Sequence, residues 1–280
     1  MLKLIFKGAI IGVANIIPGV SGGTMAVSLG IYDKLIHSIT NLKKEFKRGI
    51  SFLLPIVIGA LLGIGLLSFV ITYLFQKFSL QTNLFFIGLI LGGVPLIAKK
   101  IDKAAILLPH ILIGLFSFAI VILLAISGET VDSGMTIDLN FTNIIIIFFI
   151  GIIASATMVL PGISGSMVLM LLGFYHQIIN LIKSFIESLS NFDTNILINN
   201  FLILLPFGVG VLIGIILVAN LIDYMMRRIP NYAYSLIMGL ILASPFAILL
   251  MMGNIEFGLF NIITSLLLAS IGYFIALRLS

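Results

Sequence analysis

The chain has no cysteine, only three histidines and little charge: Asp, Glu, Lys and Arg make up 9% of its 280 residues. Without cysteine there is no disulfide, no thiolate catalysis and no cysteine-ligated metal. His37, His110 and His176 form no close grouping with acids, so neither a metal site nor a cofactor is expected. Soluble domains carry roughly a quarter charged residues, so the scarcity of charge excludes a soluble enzyme and a nucleic-acid binder. Apolar residues, by contrast, make up 61% of the chain. They lie in continuous runs of about span length. These runs do not alternate apolar and polar, which excludes a β-barrel. Backbone groups in hydrocarbon must pair within their own segment, which leaves helices. The expected fold is an all-α integral membrane protein. Lys3 and Lys7 precede an apolar stretch, but no small-residue cleavage site follows, so the start reads as mature protein.

The chain repeats itself. GAIIGVANIIPGVSGGTMAVSLGIYDKLIHSI (8–39) aligns with GIIASATMVLPGISGSMVLMLLGFYHQIINLI (151–182) at a constant offset. The matches include Pro18/Pro161, Gly19/Gly162, Ser21/Ser164, Gly22/Gly165, Gly30/Gly173 and Tyr32/Tyr175. After a longer loop in the second half the match resumes, with Pro55/Pro206, Gly59/Gly210, Gly63/Gly214 and Tyr73/Tyr224. Ordered Pro, Gly, Ser and Tyr matches are not what chance gives between two apolar stretches, and they indicate a duplication.

Repeat 1 covers residues 1–140, with spans at 52–74, 84–98 and 105–127. Repeat 2 covers 141–280, with spans at 201–222, 233–251 and 258–278. Before the spans of each repeat lies a PGxSG segment. Gly8 to Ile17 is about 15 Å of helix, half the hydrocarbon core, before Pro18-Gly19 stops it. The segment is a broken span or a re-entrant hairpin (8–39, and 143–182 in repeat 2). Charge distinguishes the two. With hairpins, both termini are cytoplasmic and only Lys77 and Lys183 among the basic residues lie outside, as the positive-inside rule favours. Each repeat is then one hairpin plus three spans. Three is odd, so the second repeat is inverted, and the two PGxSG tips approach each other near the midplane. Residues 34–50 read as one amphipathic helix resting on lipid headgroups at the cytoplasmic surface.

The tips carry the candidate chemistry. Gly19, Gly22, Gly23, Gly162 and Gly165 permit close backbone approach. Ser21, Thr24, Ser164 and Ser166 add hydroxyl donors. Helix N-termini with unpartnered N–H groups favour an anion, so two converging ones suit a phosphate or a carboxylate. Asn15 either reaches such a ligand or pairs with freed backbone groups. Asp33 and His176 occupy equivalent positions near opposite surfaces. Asp223 reads as a helical ion pair with Arg227 or Arg228, or as a proton-coupling carboxylate. His176 is the other candidate coupling residue. His110 is expected to be neutral and hydrogen-bonded within a span.

The string GVANIIPGVSGGTMAVSLGIYDKLI, the second copy PGISGS and the total length resemble the bacterial polyprenyl-phosphate transporter family. The resemblance implies a flippase of the plasma membrane. It would return undecaprenyl phosphate, the lipid carrier of cell-wall synthesis, from the outer to the inner leaflet. Membrane lipids are the other expected partner. Oligomeric state is not legible. A transporter or channel for a small anion could have the same site. Undecaprenyl-diphosphate phosphatases carry a similar PGxSRS loop, but Gly22 and Gly165 stand here where their arginine would, and no paired-glutamate motif is present. Hydrolysis is therefore not expected.

Overall fold

A computed structural model describes residues 1–17, 20–127, 139–191, 194–252 and 258–279. Among the described residues there are twelve α-helices and a 3₁₀ turn at Lys103–Ala105, and no strand. In the first half these are α1 (Leu2–Ile16), α2 (Gly22–Ser28), α3 (Tyr32–Thr40), α4 (Phe46–Lys77), α5 (Ser79–Ala98) and α6 (Leu108–Ile126). In the second half they are α7 (Phe141–Val159), α8 (Gly165–Leu171), α9 (Tyr175–Asn191), α10 (Thr194–Arg228), α11 (Pro230–Met251) and α12 (Leu259–Leu279). Large apolar side chains such as Leu61, Phe69, Phe116 and Leu266 are exposed all round. So much apolar surface belongs in lipid.

The chain doubles back in each half. Lys7 on α1 donates its ammonium to the Leu29 carbonyl at the far end of α2, 2.6 Å away. At the other end of the same pair, Asn15 accepts from the Gly22 N–H. α1 and α2 are thus antiparallel arms joined at 17–21. Both short helices, α2 and α8, end alike. Gly30 (φ 69°) and Gly173 (φ 76°) take the left-handed conformation. Ile31 N–H then bonds back to Ala26 and Phe174 N–H to Leu169, which is a Schellman stop.

Close packing rests on glycine, since lipid offers no hydrophobic drive between helices. A Cβ at Gly8, Gly12, Gly59 or Gly63 would run into the backbone of the facing helix in the α1–α4 pair. Ile5 faces Gly59 and Ala9 faces Gly63, so α1 and α4 are parallel. The α7–α10 pair repeats this with Gly151, Gly210 and Gly214. α5 packs parallel to α12 through Gly88, Gly92 and Gly272, and α6 parallel to α11 through Gly114 and Gly239. Gly88 and Gly239 are repeat counterparts.

Among the described residues seven helices are long and apolar enough to cross a membrane, against the six spans expected. The seventh is α7. With 19 residues it is longer than the half-span arm expected, whereas α1 has 15. α8 and α9 meet at 111°, a broken span or a re-entrant loop. The amphipathic stretch 34–50 is not one helix: α3 ends at Thr40, Asn41 to Glu45 form turns, and α4 starts at Phe46. Asn41 stops α3, its side-chain amide bonding back to the His37 carbonyl. His110 sits in the first turn of the candidate span α6, and its Nδ1 accepts from the Leu107 N–H at 2.9 Å.

Candidate functional site

The two chain reversals meet. Ser21 is the N-cap of α2 and its Oγ accepts from the Gly23 N–H at 3.2 Å. The same hydroxyl donates to the Leu160 carbonyl at the end of α7, 3.3 Å away. Tyr32 donates to the neighbouring Val159 carbonyl at 3.2 Å. Thr24 accepts from the Gly162 N–H at 2.6 Å. Three side chains of the first half thereby satisfy backbone groups that the break after α7 leaves without helical partners. Ser21, Thr24 and Tyr32 are buried to 2% exposure or less, so an unpaired group there would be costly. Gly23 eases this crossing: a Cβ would crowd the Val159 oxygen at 3.0 Å and Leu160 at 3.2 Å. Gly162 has φ +87°, and a Cβ there would meet the Leu240 backbone.

The second break has fewer polar links, and the Met158 side chain packs against Gly165 there. Ser164 caps nothing, and its Oγ lies 2.8 Å from that of Ser166. Met158 stands where the first half has Asn15, so no side-chain amide reaches the start of α8. Gly22 and Gly23 have their N–H groups capped by Asn15 and Ser21, whereas α8 begins with no side-chain cap. Ser21, Gly23, Thr24 and Gly162 therefore come together. Asn15 and Gly22 lie one bond away, and Ser164, Gly165 and Ser166 form the adjoining turn. Gly19 lies outside the described residues.

A second polar cluster ties the halves together at the end carrying the N-terminus. Asp33 on α3 is paired with Lys100, just past α5, and accepts from the Tyr234 hydroxyl of α11 at 2.9 Å. Arg227 binds Asp223 at 2.9 Å along α10 and reaches His37 Nδ1 on α3 at 2.6 Å. The Asp102 N–H donates to Asn231 at 3.1 Å. Asp223 is thus the helical ion pair, and Asp33 is a cross-link between halves. Sequence reasoning left Asp33 at an interface and did not join it to Lys100 or Tyr234. The available signal was disagreement between the repeats. The counterparts of Asp33, His37, Lys100, Asp223, Arg227 and Tyr234 are His176, Asn180, Met251, Thr72, Gln76 and Asn83. His176 is exposed against Tyr175, and no polar link ties it to the first half among the described residues.

The packing follows the same asymmetry. Gly93 of α5 lets the Ser28 backbone of α2 come close. Their counterparts, Ser244 and Leu171, are bulkier, and α8 meets α11 through Met167, Val168, Leu240 and Ala243 side chains instead. α3 packs on α10, while α9 makes no comparable approach to α4 among the described residues. Two apolar grooves open on the lipid-facing surface. One of about 580 Å³ runs along α1 and α4 past Phe6 and Leu66, and one of about 450 Å³ lies among α4, α5 and α12 beside Phe78 and Phe260.

A family model described as undecaprenyl phosphate translocase-like matches residues 11–249 and 185–280. The chain belongs to that family. It is 34% identical to the polyprenyl-phosphate transporter of Staphylococcus aureus over 87% of this chain and 84% of the relative. It is 30% identical to the polyprenyl-phosphate transporter of Vibrio cholerae, over 87% and 76%. No solved structure matches the chain. The matched region takes in both PGxSG segments and the polar cluster.

Proposed function

We propose that the protein moves undecaprenyl phosphate from the outer to the inner leaflet of the bacterial plasma membrane, recycling the cell-wall lipid carrier. The observation that carries this reading is the meeting of the two breaks, with Gly162 N–H on Thr24, in a chain whose relatives bear the name polyprenyl-phosphate transporter. Those names, and glycine at both positions where the diphosphatases have arginine, leave hydrolysis without support.

Topology follows from helix direction. If residues 8–39 crossed the membrane once, α4 would return antiparallel to α1. Their parallel packing supports a re-entrant hairpin, both termini in the cytoplasm and an inverted second repeat. The phosphate enters where its lost water is replaced: the start of α8, whose N–H groups no side chain caps, with Ser164 and Ser166 as donors. The isoprenoid chain stays in the apolar grooves or in lipid. The cluster around Asp33 and Arg227 closes the cytoplasmic end, and the looser packing of α8 and α9 leaves the outer end as the loading side. Alternation exchanges the two. Moving the phosphate inward against a potential costs about 2.3 kcal/mol per charge per 100 mV. A proton taken up outside lowers that cost, with His176 as the candidate acceptor and Asp223 held by Arg227. The test is uptake of labelled undecaprenyl phosphate into proteoliposomes. Uptake above that of protein-free vesicles is expected. Uptake of a small anion such as inorganic phosphate at the same rate, with none of the lipid, would replace this reading with an anion carrier.

A further inference from the structure

A cavity of about 500 Å³ lies between α3 and the start of α4, away from the two breaks. Lys34 and Ser38, one turn apart on α3, line one wall, and Arg48 and Ser51 line the other. The Lys34 ammonium rests 4.6 Å above the Phe52 ring, and no carboxylate among the described residues reaches it. Lys100 and Arg227 nearby are both ion-paired. Ser38 is only 9% exposed, yet its hydroxyl has no partner among the described residues. A mid-helix serine ordinarily bonds back to the carbonyl four residues earlier, as Ser28 does to Thr24. His37 also lines the wall, but its Nδ1 is held by Arg227 and Asn41. The wall's one acid, Glu45, is neutralised by Arg48 at 3.3 Å. An unpaired cation and an unpartnered hydroxyl opening into one cavity call for an anion with several acceptor oxygens.

We infer that this cavity binds a phosphate monoester headgroup at the inner surface, as a second station for the lipid once it has left the breaks. Three terminal oxygens suffice for Lys34, Ser38 and the Arg48 N–H groups that its bond to Glu45 leaves free, where a phosphodiester offers only two. The apolar groove on the neighbouring face of α1 puts the lipid surface within reach. The inference rests on the cargo being a phosphate lipid, but not on how the breaks bind it.

The experiment uses the full chain in nanodiscs of zwitterionic lipid, a diazirine-bearing polyprenyl phosphate, and mapping of the labelled peptides. In the wild type, peptides spanning 34–52 should be labelled. Lys34→Gln should reduce that labelling about tenfold and Ser38→Ala several-fold, while Lys34→Arg retains it. Excess unlabelled polyprenyl phosphate should compete at least tenfold better than phosphatidylglycerol or inorganic phosphate. Equal competition by phosphatidylglycerol would overturn the monoester assignment. Competition by inorganic phosphate alone would reassign the site to the free ion. Labelling confined to 154–170 would overturn this station and leave the transport reading intact. No labelling anywhere would overturn both. Melting curves of each variant verify folding, and Lys34 is exposed enough that its replacement should not shift them.

Discussion

Thr24 shows how much one hydroxyl can hold in a membrane interior. Its acceptor oxygen is the partner of the Gly162 N–H, in a site with no exposure. Thr24→Val should leave that donor unpaired and cost about 1–3 kcal/mol, read as a lower midpoint in thermal unfolding of the purified protein. Thr24→Ser should restore most of it; equal stability of the Val variant would mean that another group serves the N–H. The two cap serines should separate. Ser164→Ala should weaken phosphate binding by about 1.5–3 kcal/mol, or about 10- to 150-fold, with little change in melting. Ser21→Ala should also lower the melting point, because Ser21 bonds to Gly23 and Leu160. The sequence pointed to both serines equally. What distinguishes them is the residue at 15 or 158, and pairing with a remote backbone leaves no trace in a local motif.

At the scale of the helix, the duplicated glycines were legible as a pattern but not as contacts. Gly59 and Gly210 aligned in sequence; the structure adds that each meets a carbonyl on a parallel neighbour. Gly65, six residues along the same helix, faces open space. Gly59→Ala should therefore disrupt the α1–α4 pair and lower the yield of folded protein. Gly65→Ala should be neutral or slightly stabilising, since alanine is the better helix former by about 1 kcal/mol. Similar losses in both would show that helix propensity, not approach, sets the effect. Hydropathy placed the long helices to within a few residues of their apolar middles. It could not see that α4 and α10 run to 32 and 35 residues, because their polar ends are helical but not apolar. It also joined α3 to α4, because an amphipathic pattern continues through the turn at Asn41. The cross-link at Asp33 was illegible: its partners lie 67 and 201 residues away.

For the molecule as a whole, sidedness can be tested directly. A cysteine replacing Lys44 should react with an impermeant maleimide only from inside, and one replacing Lys183 only from outside; the reverse would invert the topology. The pH response belongs to this scale too. The second pKa of a phosphate monoester is about 6, so acid outside loads a less charged form and should speed uptake. A rate that is flat between about pH 5.5 and 8, in wild type and in His176→Gln alike, would remove proton coupling. A slope kept in His176→Gln would assign the proton to the substrate. The α5–α12 and α6–α11 pairs have one further consequence. Each half lends helices to the other, as the subunits of an interlocked dimer do, so neither half is a self-contained body. On the inverted-repeat reading proposed above, a single-repeat polypeptide would have to work as two copies inserted in opposite senses. A gene cut between the codons for Ser127 and Leu139 should then yield two inactive pieces that restore transport when made together in one cell.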